Sequence, residues 1–179
     1  MYGRSKFEEI ANACVHLPVV VLAWAALLDD NPNFVFFIVS SLTFLFSSLY
    51  HIFPESTGKR IARRWDVASI FWLIPASVFH LLPIELGISL LSLTMIMSFP
   101  VIKSETATIF TDVSLITMAV ACTALGALFS DQWATVASGT IIYAAGLPFY
   151  FASYTNWFHF VWHIAVICGW STHASLYIT

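Results

Sequence analysis

Long apolar stretches follow one another along almost the whole chain and are separated by short polar connectors. Seven stretches can be delimited, at residues 13–28, 34–53, 67–83, 86–102, 112–129, 133–152 and 157–178. A helix needs about 20 apolar residues to cross the hydrocarbon core of a bilayer, so each stretch accounts for one crossing. The pattern predicts an all-α fold in which residues 1–179 form a single domain, a bundle of seven transmembrane helices.

The composition also indicates a lipid environment. Of the 179 residues, 59% are hydrophobic and 9% are charged, whereas a water-soluble domain carries about a quarter charged residues. This balance excludes a cytosolic enzyme, a nucleic-acid-binding protein with a basic face and a disordered chain. A transmembrane β-barrel would show short segments of alternating polarity, and apolar runs such as residues 34–39 do not alternate. We therefore expect a multi-pass integral membrane protein, surrounded by the lipid bilayer and with no nucleic acid as a partner.

The basic residues all fall on one side of a seven-helix topology. Cytoplasmic loops collect lysine and arginine, so that side is predicted to be cytoplasmic. The N-terminus is then cytoplasmic, and the C-terminus lies outside the cell or in a lumen. The N-terminal segment mixes both charge signs and lacks a suitable cleavage site, which favours a helix over a cleaved signal peptide. The basic residues are Arg4, Lys6, Lys59, Arg60, Arg63, Arg64 and Lys103, and the acidic residues predicted on the other side are Asp29, Asp30, Glu85 and Asp131.

Four ionisable residues stand near the predicted cytoplasmic ends of three helices. His51 ends the second stretch, and Asp66 immediately precedes the third. His159 and His163 lie in the first two turns of the seventh stretch. An ionisable group within a span costs about 3 kcal/mol on insertion scales, so such a group usually has a partner or a function. We expect the three imidazoles and the carboxylate to lie at one depth in the membrane.

The spacing of the two histidines in the seventh stretch suits metal binding. His159 and His163 are four residues apart, so their imidazoles share a helix face and lie about 6 Å apart along the axis. Together with His51 they would form a three-histidine site for Zn²⁺, with a fourth position open to water as in catalytic zinc sites. Asp66 could orient that water or an imidazole, and Ser47 lies one turn from His51 on the same helix face.

Two other interpretations of the histidines stay open. Histidines near helix ends often meet the membrane interface or hydrogen-bond a neighbouring helix. His159 and His173 are also fourteen residues apart, about 21 Å along one helix face, which is a spacing that can hold two haem groups. Such a site needs a matching pair on a second helix, and the sequence offers none. We therefore expect no haem.

Several residues near the candidate site predict packing or support. Glu9, Asn12 and His16 share one face of the first helix, where they form either interhelical hydrogen bonds or a supporting layer for the site. Glycines 139 and 146 indicate close helix packing. The three cysteines are predicted to be unpaired packing residues, and they are Cys14, Cys122 and Cys168.

The order of these motifs resembles that of the hemolysin III-like proteins. This family is grouped with the progestin and adipoQ receptors, including the adiponectin receptors, and more distantly with the alkaline ceramidases. The resemblance covers essentially the whole chain and implies a seven-helix bundle with zinc near the cytoplasmic side. It also implies that His51, His159 and His163 are the ligands, with Ser47 and Asp66 beside them. The segments that carry it are EEIANACVH at 8–16, SSLYH at 47–51, WD at 65–66, HFVWHIAVICG at 159–169 and His173.

The same resemblance implies a zinc-dependent hydrolase that acts on a membrane lipid amide of the ceramide type. Zinc would polarise the carbonyl and lower the pKa of its bound water to about 7. Asp66 would act as the general base, and Ser47 would hydrogen-bond the water or the developing oxyanion. Two alternatives stay open: a non-enzymatic receptor or signalling protein with a structural zinc site, and a hemolysin-like pore. The pore is the weaker one, because no row of hydrophilic residues runs the full depth of any span.

Overall fold

The described part of the chain is helical throughout. The structure, a computed structural model, describes residues 4–28, 33–103 and 109–177. Within these ranges there are seven α-helices, one short 3₁₀ turn at Phe79–Leu81 and no strand. The helices are α1 (Lys6–Leu28), α2 (Phe34–Ile52), α3 (Thr57–Ala76), α4 (Ile84–Lys103), α5 (Ile109–Phe129), α6 (Trp133–Phe151) and α7 (Phe158–Ala174). The predicted all-α fold is confirmed.

Five of the seven helices in the described ranges, α1, α2, α4, α5 and α6, are long and apolar enough to cross a membrane. The α7 helix is shorter, at 17 residues. The α3 helix carries four basic residues over its first half, so its mean hydropathy is low although its second half is apolar. The chain is therefore compatible with a membrane protein, and large apolar side chains such as Ile96, Val120 and Leu128 are exposed on the outside of the bundle.

The first and third helices differ most from the predicted stretches. The α1 helix begins at Lys6 rather than at residue 13, and α3 begins at Thr57 rather than at residue 67. The start of α3 is explained by Ser56, whose Oγ accepts a hydrogen bond from the backbone N–H of Lys59 at 3.2 Å and so caps the helix. Both extensions are polar helical turns, which a search for apolar stretches does not include. Asp29 and Asp30, two of the acidic residues predicted on the non-cytoplasmic side, lie outside the described residues.

The helix α1 packs against both α2 and α7, so it lies beside the two helices that carry the candidate histidines. Further contacts join α2 to α3, α3 to α5, α5 to α6 and α6 to α7, which closes a ring, while α4 packs against α3. One apolar core lies between α1, α2 and α7 and includes Phe36, Phe44 and Trp170. Within it, the indole N–H of Trp170 donates to Ser40 Oγ at 2.8 Å and ties α7 to α2.

Candidate metal centre

Three buried histidines from two helices meet at one end of the bundle. His51, His159 and His163 each offer a ring nitrogen within 4.8 Å of those of the other two. The shortest distance is 3.0 Å, between Nε2 of His51 and Nε2 of His163. All three side chains are buried, with at most 7% of each residue exposed. The structure thus brings together the three residues that the sequence predicts as metal ligands.

The three rings are brought together by the spacing of two histidines along α7 and by the end of α2, which lies beside them. His159 and His163 lie one turn apart on α7, and their ring centroids are 4.4 Å apart. His51 lies in the last turn of α2, with ring centroids 5.1 Å from His159 and 4.9 Å from His163. Because Trp170 ties α7 to α2, the separation of the two helices is set by side chains deeper in the bundle.

A buried carboxylate holds the beginning of α7. Trp157, the residue before the helix, has a left-handed backbone with φ of 66°. Its backbone N–H donates to Glu8 Oε1 at 3.1 Å, and Glu8 is only 1% exposed. A negative charge is favourable at a helix N-terminus, where backbone N–H groups lack partners. Glu8 therefore helps to fix the turn that carries His159, a contribution that sequence reasoning missed.

The donor set fits a transition-metal ion. Imidazole nitrogens suit zinc, copper, iron and nickel, and three of them leave a coordination position open. Within the described part of the chain, Nε2 of His159 is buried without a hydrogen-bond partner, and a buried polar atom in that state calls for a bound ion or water. A metal ion held by His51, His159 and His163 would supply the missing partner.

The carboxylate of Glu9, on α1, contacts one of the three histidines. Glu9 Oε2 lies 2.9 Å from His51 Nδ1 and 3.1 Å from Lys59 Nζ. Glu9 Oε1 accepts a longer hydrogen bond of 3.4 Å from Arg4. For Glu9, the expectation of interhelical hydrogen bonds is confirmed. Its contact with His51 was not foreseen, because the sequence suggested Asp66 for the role of orienting an imidazole.

Ser47 and Asp66 lie next to each other, with a side-chain hydrogen bond between them. Asp66 lines a cavity of about 500 Å³ that His159 also lines. The remaining lining includes Arg4, Lys59 and other charged and aromatic side chains. Asp66 therefore shares an open space with one of the three histidines, which leaves room there for a substrate.

Asn12 and His16 continue the polar face of α1 towards the interior of the bundle. Asn12 is completely buried and His16 is 2% exposed. The His16 ring lies 4.3 Å from that of His163, at an interplanar angle of 90°. Neither side chain makes a hydrogen bond within the described residues, so for these two the structure does not bear out interhelical hydrogen bonding. The position of the His16 ring beside His163 fits the alternative expectation of a supporting layer.

The other histidine considered as a haem ligand is held by α6. His173 stacks on Tyr143 with ring centroids 5.8 Å apart. A Cβ added to Gly139 would lie 2.5 Å from His173 Nε2, and one added to Gly146 would lie 2.7 Å from the Ala165 Cβ. The predicted close packing at both glycines is confirmed. All three cysteines are free, as predicted.

Comparisons of the chain with protein-family models, with curated proteins and with solved structures found no match. The resemblance to the hemolysin III-like proteins therefore stays a prediction that rests on the sequence motifs alone.

Proposed function

We propose that this protein is a zinc-dependent hydrolase that cleaves an amide bond of a ceramide-like membrane lipid. The observation that carries this proposal is the meeting of three buried imidazoles beside a cavity that Asp66 also lines. A ligand set with an open position, next to a carboxylate and accessible space, is the arrangement of a hydrolytic rather than a structural zinc site. The apolar outer faces of the helices and the family resemblance support a lipid as the substrate.

Each residue of the site has a distinct part in this reaction. When bound, zinc supplies a Lewis acid that polarises the scissile carbonyl and acidifies water. Asp66 is the general base that takes a proton from the attacking water and returns it to the leaving amine. Ser47 holds the Asp66 carboxylate through their hydrogen bond. The polar lining of the cavity receives the head of the lipid, while the acyl chain stays among the apolar side chains.

The proposed topology has seven membrane crossings, with a cytoplasmic N-terminus and an external or lumenal C-terminus. In support, Arg4 and Lys59 both contact Glu9, so the basic residues of the N-terminus and of α3 lie at one end of the bundle. Clustered basic residues mark the cytoplasmic side. The metal site and its cavity would then face the cytoplasmic leaflet.

The direct test is to measure fatty acid release from ceramides and related lipid amides by the purified, zinc-loaded protein in micelles. We expect release that a chelator abolishes and that added zinc restores. Stoichiometric zinc without hydrolysis of any lipid amide would contradict the proposed reaction. That result would favour a non-enzymatic receptor with a structural zinc site.

A further inference from the structure

One ligand of the proposed metal site is bound by a carboxylate from a third helix. Glu9 of α1 lies 2.9 Å from Nδ1 of His51, and the His51 side chain is completely buried. An ionised carboxylate can only accept hydrogen bonds, so Nδ1 of His51 carries the proton and donates a hydrogen bond to Glu9. The lone pair of the neutral ring is then on Nε2.

The nitrogen left free in this way is the one that faces the other histidines. His51 Nε2 lies 3.0 Å from His163 Nε2. We propose that Glu9 is a positioning residue of the metal site, whose carboxylate fixes the His51 ring with Nε2 available to the ion. This inference rests on the proposed zinc site. Metal-bound histidines commonly donate their second N–H to a carboxylate, which orients the ring and raises its basicity.

The carboxylate is itself held in place by a buried cation. Lys59 Nζ donates to Glu9 Oε2 at 3.1 Å and to the carbonyl of Phe53 at 3.3 Å, and it lies 5.0 Å from the centroid of the Tyr50 ring. The Lys59 side chain is 5% exposed. Lys59 stands in the first turn of α3, and its contacts join α1 to the connector after α2. If Glu9 turned away from His51, the buried charge of Lys59 would lose its partner.

His159, a proposed ligand on α7, has a different environment. Nδ1 of His159 lies 3.2 Å from the hydroxyl of Ser153, which carries no charge. An anionic hydrogen-bond partner raises the basicity of the metal-facing ring nitrogen more than a neutral hydroxyl does. Of the two ligands whose Nδ1 contacts are resolved, His51 is thus the one whose binding strength depends on a carboxylate.

The test compares two variants that break the same ion pair but differ in their effect on His51. Glu9→Gln removes the charge beside His51, whereas Lys59→Met keeps the Glu9 carboxylate and removes the buried cation that holds it. Both variants should lower the stability of the metal-free protein, because Glu9→Gln leaves the charge of Lys59 unpaired and Lys59→Met leaves that of Glu9 without its lysine partner. The dissociation constant of zinc, measured by competition with a chelator in micelles, should rise about 10- to 100-fold in Glu9→Gln. In Lys59→Met it should rise less than in Glu9→Gln, because the carboxylate beside His51 Nδ1 is still present although it is held less firmly.

Two further variants complete the experiment. Glu9→Ala should weaken zinc binding at least as much as Glu9→Gln does. Glu55 is a carboxylate that lines the same cavity, and Glu55→Gln should leave zinc binding unchanged. Equal zinc affinity in wild type and both Glu9 variants would overturn the positioning role while leaving the metal site standing. A wild-type protein that binds no zinc would instead overturn the proposed function itself.

Discussion

At the scale of single residues, the proposed reaction depends on Asp66 and Ser47. Their side chains are hydrogen-bonded to each other, and Asp66 shares a cavity with His159. The proposed site needs neither residue as a ligand, because the three imidazoles can hold a metal ion without them. Variants of this pair should therefore affect the reaction and leave the metal in place.

We expect Asp66→Asn to lower kcat for lipid amide hydrolysis by about 10²- to 10⁴-fold, because an amide cannot take up the proton of the attacking water. The zinc content should equal that of wild type. Rates and metal content would be measured on the same preparation. The control is Glu85→Gln, which changes an exposed acidic residue in the first turn of α4. Full activity in Asp66→Asn would show that the base is another group.

The candidate ligands could be predicted from the sequence because few ionisable residues occur in so apolar a chain. The i and i+4 spacing of His159 and His163 fixes their relative direction on α7, and His51 is an ionisable residue at the end of an otherwise apolar stretch. The contact between Glu9 and His51 could not be predicted in this way. It depends on how α1 is rotated against α2, and a carboxylate in a polar first turn gives no sign of its partner.

At the scale of helices, the beginning of α7 depends on a contact with α1. Glu8 is buried and accepts the backbone N–H of Trp157, two residues before His159. Glu8→Ala leaves this N–H without a partner, so it should lower the free energy of unfolding by about 1–3 kcal/mol. The measurement is unfolding of the metal-free protein in mixed micelles.

The matched control for that experiment is Glu85→Ala, which removes an exposed glutamate from the first turn of another helix. It should change the free energy of unfolding by no more than about 0.5 kcal/mol. If the two variants were equally stable, the contact between Glu8 and Trp157 would contribute nothing to the fold.

The packing of α6 against α7 gives a second prediction at this scale. A methyl group on Gly139 would overlap the His173 ring, which is itself buried against Tyr143. We expect Gly139→Ala to lower the midpoint of thermal unfolding, at a cost of about 1–3 kcal/mol. Gly58→Ala is the control, because there a Cβ meets only an ordinary contact of 3.5 Å with Ser56 Oγ. Equal midpoints in both variants would mean that α6 and α7 are not closely packed at this point.

The number and order of the helices could be predicted from the apolar stretches, while two of their starting points could not. The first turns of α1 and α3 contain charged residues whose helical state is set by local caps and by partners such as Glu9 and Lys59. Hydropathy describes which residues avoid water, and it does not detect a polar turn that extends a helix beyond the apolar stretch.

At the scale of the whole molecule, the proposed topology depends on α3 crossing the membrane. With seven crossings, Glu55 between α2 and α3 is cytoplasmic and Asp131 between α5 and α6 is external or lumenal. If α3 did not cross, α4 would start from the cytoplasmic side and both residues would lie on the same side.

This difference can be measured by labelling with a membrane-impermeant thiol reagent. In a chain whose three native cysteines are replaced by alanine, we expect Asp131→Cys to be labelled from the external or lumenal face. Glu55→Cys should react only when the cytoplasmic face is open to the reagent. Labelling of both from the same face would contradict the seven-helix topology.

The central claim is that helices α2 and α7 hold one metal ion through His51, His159 and His163. The most direct measurement is metal analysis of the purified protein after expression with ample zinc, beside His163→Ala and the control His80→Ala, whose histidine is exposed. We predict about one zinc ion per chain in wild type and in His80→Ala, and a loss of most of it in His163→Ala. A wild-type protein without metal, or a His163→Ala variant with the full amount, would contradict the claim.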